Sequence, residues 1–238
     1  MTGGAHENPD RQRLKKEASL CAVEEIKSGM IIGLGSGTTV RFALEEIGMR
    51  IAAGLLRDVT GIPSSRDTEN LALHYGIPLT GFDDHAEIDL NIDGADEVDR
   101  HLNLIKGGGG ALLREKIVAQ ASRRTLVVVD DSKLSRSLGE KVPVPVEVLP
   151  FSWKVEAAFL ASLGSRIALR ERGGTPFITD QGNYIVDCHF NKIKNPRKLA
   201  LLLSQRAGVM EHGLFVGLAS EVIVAGPGGI QRIKRSKK

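Results

Sequence analysis

Aromatic residues are scarce in this sequence, at 4% of 238 residues. Proteins that bind nucleic acids commonly place aromatic side chains among basic ones, because bases stack on aromatic rings. A large charge excess is also lacking, since 32 lysines and arginines are balanced by 29 aspartates and glutamates. Much of the net charge of +3 lies in the tail 231–238. These shortages argue against nucleic acid as a partner and argue only weakly for anionic ligands.

Cysteines are few, and long apolar runs are absent. The two cysteines, Cys21 and Cys188, are far apart, and neither has a cysteine or histidine at a spacing typical of metal sites. We expect two reduced thiols, as in a cytoplasmic protein. No apolar run approaches the roughly 20 residues that span a bilayer. The polar N-terminus, 1–17, lacks the apolar core of a signal peptide. The sequence therefore predicts a cytoplasmic protein with no membrane partner.

Short apolar runs alternate with amphipathic segments over the first half of the chain. Apolar residues recur at helical spacing from Leu14 to Ile26, and the run Met30 to Leu34 is typical of a buried strand. Further helices are predicted at 39–53, from 64 or 65, and at 111–121, and further strands at 58–62, near 79, at 88–92 and at 125–129. Such alternation predicts an α/β fold, with a mostly parallel Rossmann-like sheet covered by helices on both faces.

The pattern changes after Asp130. The segment KVPVPVEVLP, 141–150, has three prolines, which favours an extended crossing segment over a central strand. Beyond it, helices are predicted at 153–163 and from Asn195, and strands at 166–169 and 184–187. We interpret 134–207 as a small α+β domain inserted into a catalytic domain made of 1–133 and 208–238. Strands at 214–219 and 221–225 are expected to return to the main sheet, and the basic tail 233–238 to be a solvated, frayed end.

The motif GLGSGTT, 33–39, stands between a predicted strand and a predicted helix. Its backbone amides can form an anion site, and the hydroxyls of Ser36, Thr38 and Thr39 can donate to phosphate oxygens. The dinucleotide fingerprint fits less well, because Thr38 replaces its third glycine and no acid follows the next strand. A Walker loop is excluded, since no lysine precedes the threonines. A small phosphate monoester fits best, and a tight turn without a ligand is the alternative.

Three acids follow the next buried strand, in the motif DGADE, 93–97. Asp93 is predicted at the strand end, with Asp96 and Glu97 in the turn after it. Carboxylates there can move protons, bind a cation or simply cap the turn. No histidine joins them, and Lys106 would compete for their charge. We therefore favour hydrogen bonds to a polyol over a metal site.

The motif KGGGGALLREKI, 106–117, combines a lysine, four glycines and an acid. A run of glycines contributes no side-chain packing, which indicates that something approaches the main chain closely. Lys106 can place a cation beside an oxygen that becomes negative. Glu115 lies in the following helix, where periodicity alone favours an exposed side chain over one that faces a pocket. Together, the three motifs suit proton transfer next to the carbonyl group of a sugar phosphate.

The ordered set of motifs resembles the A-type family of ribose-5-phosphate isomerases. GLGSGTT, the serines of GIPSS, DGADE, KGGGGALLREK, DDSK and KVPVPVEVLP stand in that family's order, and the similarity runs from about Leu14 to Gly229. The resemblance implies an α/β domain with a ferredoxin-like α+β insertion, assembled as a homodimer or homotetramer. It also implies interconversion of D-ribose 5-phosphate and D-ribulose 5-phosphate through an enediol, in the non-oxidative pentose phosphate pathway, with no metal and no organic cofactor.

The resemblance also assigns roles to individual residues. It implies that Glu115 is the general base that moves a proton between C1 and C2, which reverses the expectation from periodicity. Asp93 would assist ring opening and proton exchange, and Lys106 would stabilise the developing oxyanion. The implied substrate-binding residues are Ser36, Gly37, Thr38, Thr39, Asp93, Gly94, Ala95, Asp96, Lys106, Gly107, Gly108, Gly109 and Lys133, with Lys15 as a supplement to Lys133.

Three other functions stay open. A sugar-phosphate sensor of a transcription regulator would carry a helix-turn-helix ahead of the sensor, and we expect no room for one in the dozen or so residues before the first helix. An isomerase or epimerase for another phosphorylated sugar would differ mainly in pocket shape. A nicotinamide-dependent oxidoreductase would have to bind a nucleotide.

Overall fold

The structure, a computed structural model, describes residues 9–235. The helices are α1 (Pro9–Val23), α2 (Thr38–Ala52), α3 (Arg66–His74), α4 (Leu112–Gln120), α5 (Trp153–Ser162) and α6 (Pro196–Ser204). The strands are β1 (Ile31–Leu34), β2 (Thr60–Pro63), β3 (Leu90–Asp93), β4 (Glu97–Val98), β5 (Leu104–Ile105), β6 (Thr125–Asp130), β7 (Val144–Val148), β8 (Arg166–Leu169), β9 (Glu171–Arg172), β10 (Thr175–Pro176), β11 (Tyr184–His189), β12 (Val209–His212), β13 (Leu214–Phe215), β14 (Glu221–Gly226) and β15 (Gly229–Lys234).

A six-stranded sheet forms the centre of the larger part of the protein. Its order is β15-β14-β6-β3-β1-β2, and every pairing is parallel except that of β14 with the edge strand β15. All six residues of β6 are buried, and its side chains alternate between two layers. Leu126 and Val128 pack with the core beneath α1 and α2, whereas Val127 and Val129 pack with Ala119 of α4. The α/β prediction, with helices on both faces, is therefore confirmed.

Two predicted helix starts are supported by side-chain caps. The Ser65 hydroxyl accepts a hydrogen bond from the Thr68 amide at 3.0 Å and so begins α3. Asn195 accepts from the Lys198 amide at 2.9 Å, with Pro196 at the first position of α6. Such caps satisfy amide groups that have no partner within the helix.

A four-stranded antiparallel sheet, in the order β12-β7-β11-β8, forms the smaller part of the protein. Its core includes Leu160 of α5 and Leu203 of α6. The strands of this sheet lie between residues 144 and 212. Its last strand, β12, therefore lies beyond residue 207, where we expected the inserted domain to end. The division into a main and an inserted domain stays a prediction.

The crossing segment predicted at 141–150 is wrong, because β7 is an inner strand paired on both sides. Pro143 and Pro150 lie outside the strand, and only Pro145 lies within it. The ladder between β12 and β7 ends at the pair His212 and Val146, and the Pro145 carbonyl beyond it accepts from the Gly213 amide at 2.7 Å. A proline at a ladder end removes no hydrogen bond between strands, which is why the central position tolerates it.

The C-terminal expectations also need correction. Of the strand expected at 214–219, only Leu214–Phe215 is extended, and it pairs with β5 in a three-stranded sheet β13-β5-β4 and not with the main sheet. The tail is ordered as far as Lys234, because β15 pairs along β14 and Arg232 forms ion pairs with Glu221 and Glu25. Residues 236–238 lie outside the described residues.

Within residues 9–235, no helix has the length and apolar character needed to cross a membrane.

Candidate active site

A cavity of about 110 Å³ brings together residues from four separate segments of the chain. They come from α1, from the loop after β1 with the start of α2, from the segment 94–115 that runs from β3 into α4, and from the turn after β6. The lining residues are Lys15, Ser36, Gly37, Thr38, Thr39, Gly94, Ala95, Asp96, Lys106, Gly107, Gly108, Gly109, Glu115 and Lys133. These are the residues that the sequence motifs singled out, except that Asp93 is buried against Lys106 and does not line the cavity.

One lysine contacts two carboxyl groups at this cavity. The Lys106 Nζ lies 3.0 Å from Asp93 Oδ2 and 3.2 Å from Glu115 Oε1, and it donates to the Gly94 carbonyl at 2.6 Å. Asp93 is 1% exposed, Lys106 3% and Glu115 5%. Charges this deeply buried persist only when they are paired and hydrogen-bonded.

The electrostatics of this group favour a protonated lysine and a carboxyl group that titrates near neutral pH. Burial opposes the charge of Lys106, but Asp93 and Glu115 outweigh it and raise the pKa of the ammonium group. Burial raises the pKa of Glu115 to about 8, although Lys106 opposes the shift. Burial also raises the pKa of Asp93, against Lys106 and the amides of Gly94 and Ser36. One cation cannot balance two buried carboxylates, so a proton is shared among these groups near neutral pH.

Glu115 is buried, so the exposed position that periodicity favoured is wrong. The next residue, Lys116, is buried as well, and its ammonium group contacts Glu211 Oε1 at 2.6 Å and the His212 carbonyl at 2.5 Å. Helix α4 is thus covered by the main sheet on one side and by β12 on another. Periodicity fails here because the polar positions of α4 are buried against polar partners. The Glu115 Oε2 atom is buried without a hydrogen-bond partner among the described residues.

The loop after β1 is tied to neighbouring segments by its own polar groups. The Ser36 hydroxyl donates to Ser65 at 2.8 Å and also contacts the hydroxyls of Ser64 and Thr68. In this arrangement the Ser36 hydroxyl is hydrogen-bonded within the protein, and its donation to a phosphate stays a prediction. The Ser36 amide donates to Asp93 Oδ1 at 3.1 Å. A side chain at Gly35 would lie 2.3 Å from that same carboxylate, so only glycine fits there.

Thr38 keeps the arrangement expected of a phosphate-binding residue. Its side chain is exposed at the cavity, and its Oγ1 accepts from the Lys15 Nζ at 3.0 Å. Because the oxygen accepts from lysine, the hydroxyl hydrogen can turn towards a ligand. Lys15 is 7% exposed and places a cation at the same end of the cavity.

The glycine run is held between the cavity and the smaller sheet. The Gly108 amide donates to Asp96 Oδ2 at 2.8 Å, while the carbonyls of Gly107 and Gly108 accept from Arg170 Nη1 at 2.8 and 3.1 Å. A Cβ at Gly110 would lie 2.4 Å from the Phe177 ring. The glycine run predicts that something lies close to its main chain, and side chains of the protein itself occupy part of that space.

Comparison with known proteins identifies the family. The model of the family described as ribose 5-phosphate isomerase A (phosphoriboisomerase A) matches residues 60–229. The chain belongs to this family. It is 53% identical over 222 residues to ribose-5-phosphate isomerase A of Desulfatibacillum aliphaticivorans, covering 93% of this chain and 96% of that protein. It is 51% identical over 223 residues to ribose-5-phosphate isomerase A of Chloroflexus aurantiacus, covering 93% of each.

Solved structures of the family have the same fold. Ribose 5-phosphate isomerase from Plasmodium falciparum superposes with a TM-score of 0.92 at 40% identity, covering 95% of this chain and 100% of that one. A D-ribose-5-phosphate isomerase in complex with phospho-erythronic acid also gives 0.92, at 38% identity, covering 94% of this chain and 99% of that one.

Sequence reasoning missed Arg170, Phe177 and Asp187. Arg170 follows β8 and is oriented by Asp187 of β11, whose Oδ2 accepts from its Nε at 2.9 Å. Nothing in the local sequence distinguishes this pair from a surface ion pair. The pair matters because Arg170 contacts the Gly107 carbonyl. The two residues are 63 positions apart in sequence, so only the folded structure shows this contact.

Arg170→Met is expected to lower kcat/KM about 10-fold, since two carbonyls of the glycine run would lose their donor and the run would be less well fixed. Most of the effect is expected in KM, because the run lines the cavity and does not include the proposed base. Arg166→Met, at an exposed position of β8, is the matched control. Steady-state kinetics of both variants, with unfolding curves, would contradict this role if Arg170→Met matched the control.

Proposed function

We propose that the protein interconverts D-ribose 5-phosphate and D-ribulose 5-phosphate, with Glu115 as the general base. The observation that carries the proposal is the buried group of Asp93, Lys106 and Glu115 beside a loop with the polar groups of a phosphate site. The names of the relatives support it. So does the neighbour solved with phospho-erythronic acid, a phosphorylated sugar acid.

Substrate binding is divided between the two ends of the cavity. Thr38, Thr39, Lys15 and Lys133 would hold the phosphate, because hydroxyl and ammonium groups donate strongly to phosphate oxygens. Asp96 and the glycine run would hold the sugar hydroxyls. Asp93, which is ion-paired with Lys106 and accepts from two amides, would assist opening of the sugar ring and move protons between the sugar's oxygens.

The reaction then needs only proton transfers. Glu115 as carboxylate removes the proton from C2 of the open-chain aldose, and the electron pair moves to form a C1–C2 double bond with negative charge on O1. Lys106 stabilises this charge as a preorganised cation, an effect worth about 10²- to 10³-fold in rate. O1 is protonated, O2 loses its proton, and Glu115 returns a proton to C1 to give the ketose.

The wider biological setting is part of the same proposal. We place the enzyme in the non-oxidative pentose phosphate pathway of the cytoplasm, as a homodimer or homotetramer that uses no metal or organic cofactor. Within the described residues, no group of three or more histidine, cysteine, aspartate or glutamate side chains is arranged to hold a metal ion.

A comparison of sugar phosphates tests the substrate. Purified protein is expected to convert ribose 5-phosphate at least about 100-fold more efficiently than arabinose 5-phosphate, whose C2 has the opposite configuration, because Glu115 can reach the C2 proton on only one face. Equal conversion of both, or preference for arabinose 5-phosphate, would favour the rival isomerase or epimerase. Binding of ribose 5-phosphate without conversion would favour a sensor.

The value of kcat/KM is expected to rise with pH through about 8. Burial raises the pKa of Glu115 to about 8, and the base must be ionised to act, so activity is lost as pH falls below that value. The raised pKa of Lys106 keeps the lysine charged over the same range. A profile of kcat/KM from about pH 6 to about pH 9.5 would measure this, because kcat/KM reports the groups of the free enzyme. A rate that falls as pH rises through this range contradicts the assignment of the base.

Thr38→Ala is expected to raise KM for ribose 5-phosphate about 10-fold, with kcat within about threefold of wild type, because one hydrogen bond to a charged phosphate is lost. Thr175→Ala, at an exposed position of β10, is the control. An unchanged KM in Thr38→Ala would count against a phosphate site at the loop after β1.

A further inference from the structure

A second cavity, of about 890 Å³, lies outside the candidate active site. Four segments line it. They are the turn 100–103 between β4 and β5, the start of α6 at 194–197, the segment 216–220, and the end of β15 at 234–235. The volume lies within the range of small-molecule sites.

The lining of this cavity carries charge of one sign. Five lysine or arginine side chains contribute to it, and no aspartate or glutamate does. They are Arg100, Lys194, Arg197, Lys234 and Arg235. None of the five forms an ion pair with another residue of the range 9–235. Uncompensated cations around a concave surface concentrate the positive potential and attract polyanions.

Hydrogen bonds organise the turn 100–103 and connect it to the end of β15. The Asp99 Oδ1 accepts from the amides of His101 and Asn103 at 2.8 and 2.9 Å, which closes the turn tightly. Leu102 has a positive φ of 58°, which is unusual for a leucine, and its side chain is 2% exposed. Its carbonyl accepts from Arg235 Nη2 at 3.2 Å and so joins the turn to the end of β15. These hydrogen bonds hold the cations of the turn and of β15 next to one another.

The start of α6 adds to the positive potential. This nine-residue helix begins at Pro196 next to its cap Asn195, and both residues line the cavity. The N-terminus of a helix carries a partial positive charge that favours anions.

The turn 100–103 also connects the two cavities. It is the tip of a hairpin whose strands, β4 and β5, have two residues each. At the open end of the hairpin, Asp96 precedes β4 and Lys106 follows β5, and both line the candidate active site. A ligand that shifts the tip therefore acts on two active-site residues through a short, paired element.

We propose that this basic cavity is a second ligand site, which binds a compact polyphosphate anion and changes the affinity of the active site for its sugar phosphate. The phosphates would be held by the cations of the turn, of α6 and of β15. The ligand is either a free polyphosphate or the phosphate chain of a nucleotide.

Calorimetric titration with inorganic pyrophosphate tests the site. The titration is run at constant ionic strength with the active site saturated by ribose 5-phosphate. Wild type is expected to bind one pyrophosphate per chain, and Lys194→Gln with Arg197→Gln to bind it at least about 10-fold more weakly. Lys154→Gln with Arg166→Gln removes the same charge from exposed positions outside the cavity and is expected to stay within about twofold of wild type. Absence of binding, or equal loss in both double variants, would overturn the proposal.

A parallel titration with ATP distinguishes the two sources of phosphate. Loss of ATP binding in the cavity variant is expected in either case. At least about 10-fold tighter binding of ATP than of pyrophosphate assigns a nucleotide, and weaker or equal binding assigns a free polyphosphate.

Coupling between the sites has its own readout. Saturating pyrophosphate is expected to change KM for ribose 5-phosphate at least about twofold in wild type and not in the cavity variant, whose kcat without pyrophosphate stays normal. Competition of pyrophosphate with ribose 5-phosphate at the active site would change KM in both proteins, so the cavity variant is the control for this effect. An equal change of KM in both proteins would refute the coupling, whatever the calorimetry shows.

Discussion

Replacing Glu115 by glutamine is expected to lower kcat by about 10²- to 10⁴-fold, the range that general base catalysis contributes. Glutamine has nearly the same shape but cannot take up the C2 proton. Its amide still fits beside Lys106, so the affinity for ribose 5-phosphate is expected to stay within about threefold of wild type. Turnover is measured by steady-state kinetics and binding by calorimetry.

The control for this variant is Glu69→Gln, which makes the same change at an exposed position of α3. It is expected to behave as wild type in both measurements. If Glu115→Gln kept a kcat within about threefold of wild type, another group would have to be the base. Parallel loss of binding and turnover would instead indicate that the substitution disturbs the cavity.

Replacing Lys106 by methionine is expected to impair both catalysis and folding. The two carboxyl groups would lose their buried cation, so the pKa values of Asp93 and Glu115 would rise further and the base would stay protonated near neutral pH. With the stabilisation of the oxyanion also lost, kcat is expected to fall by at least about 10³-fold.

The stability cost of Lys106→Met has a predicted pH dependence. Removal of one partner from a buried ion pair costs about 3 kcal/mol or more when the remaining charges stay ionised. At about pH 6 the two carboxyl groups can be protonated in the folded protein, so the loss is smaller there, and it grows as pH rises towards about 9. Denaturant unfolding at both pH values measures this. Lys27→Met, exposed in the turn before β1, is the control. Equal loss at both pH values would contradict the account.

The elements that the sequence predicts well are those whose signals are local. The all-buried strand β6 contains the uninterrupted apolar run 126–129, and α3 and α6 begin at capping residues that the sequence shows directly. Predictions failed where the partner is distant in sequence. Pro145 is compatible with an inner strand only because the ladder between β12 and β7 ends next to it, and β12 lies more than 60 residues later in the chain. The strand β15 is ordered because it pairs with β14, which the basic composition of the tail does not indicate.

The candidate site shows the same difference between features with local sequence signals and features that depend on distant segments. The motifs that line the cavity are continuous in sequence and follow strands of a parallel sheet, so their convergence could be expected. The hydrogen bonds of the Ser36 hydroxyl, the burial of Glu115 and the contact of Arg170 with the glycine run depend on side chains from other segments. Charge, hydropathy and periodicity do not encode which of these surfaces meet.

Formation of ribulose 5-phosphate from ribose 5-phosphate by the purified wild-type protein, in the presence of a metal chelator, tests the central claim most directly. The two sugars can be distinguished by proton NMR as the reaction proceeds. We expect the same equilibrium mixture to be reached from either sugar. Tight binding of ribose 5-phosphate with no conversion in either direction would contradict the isomerase and place the protein among sugar-phosphate sensors.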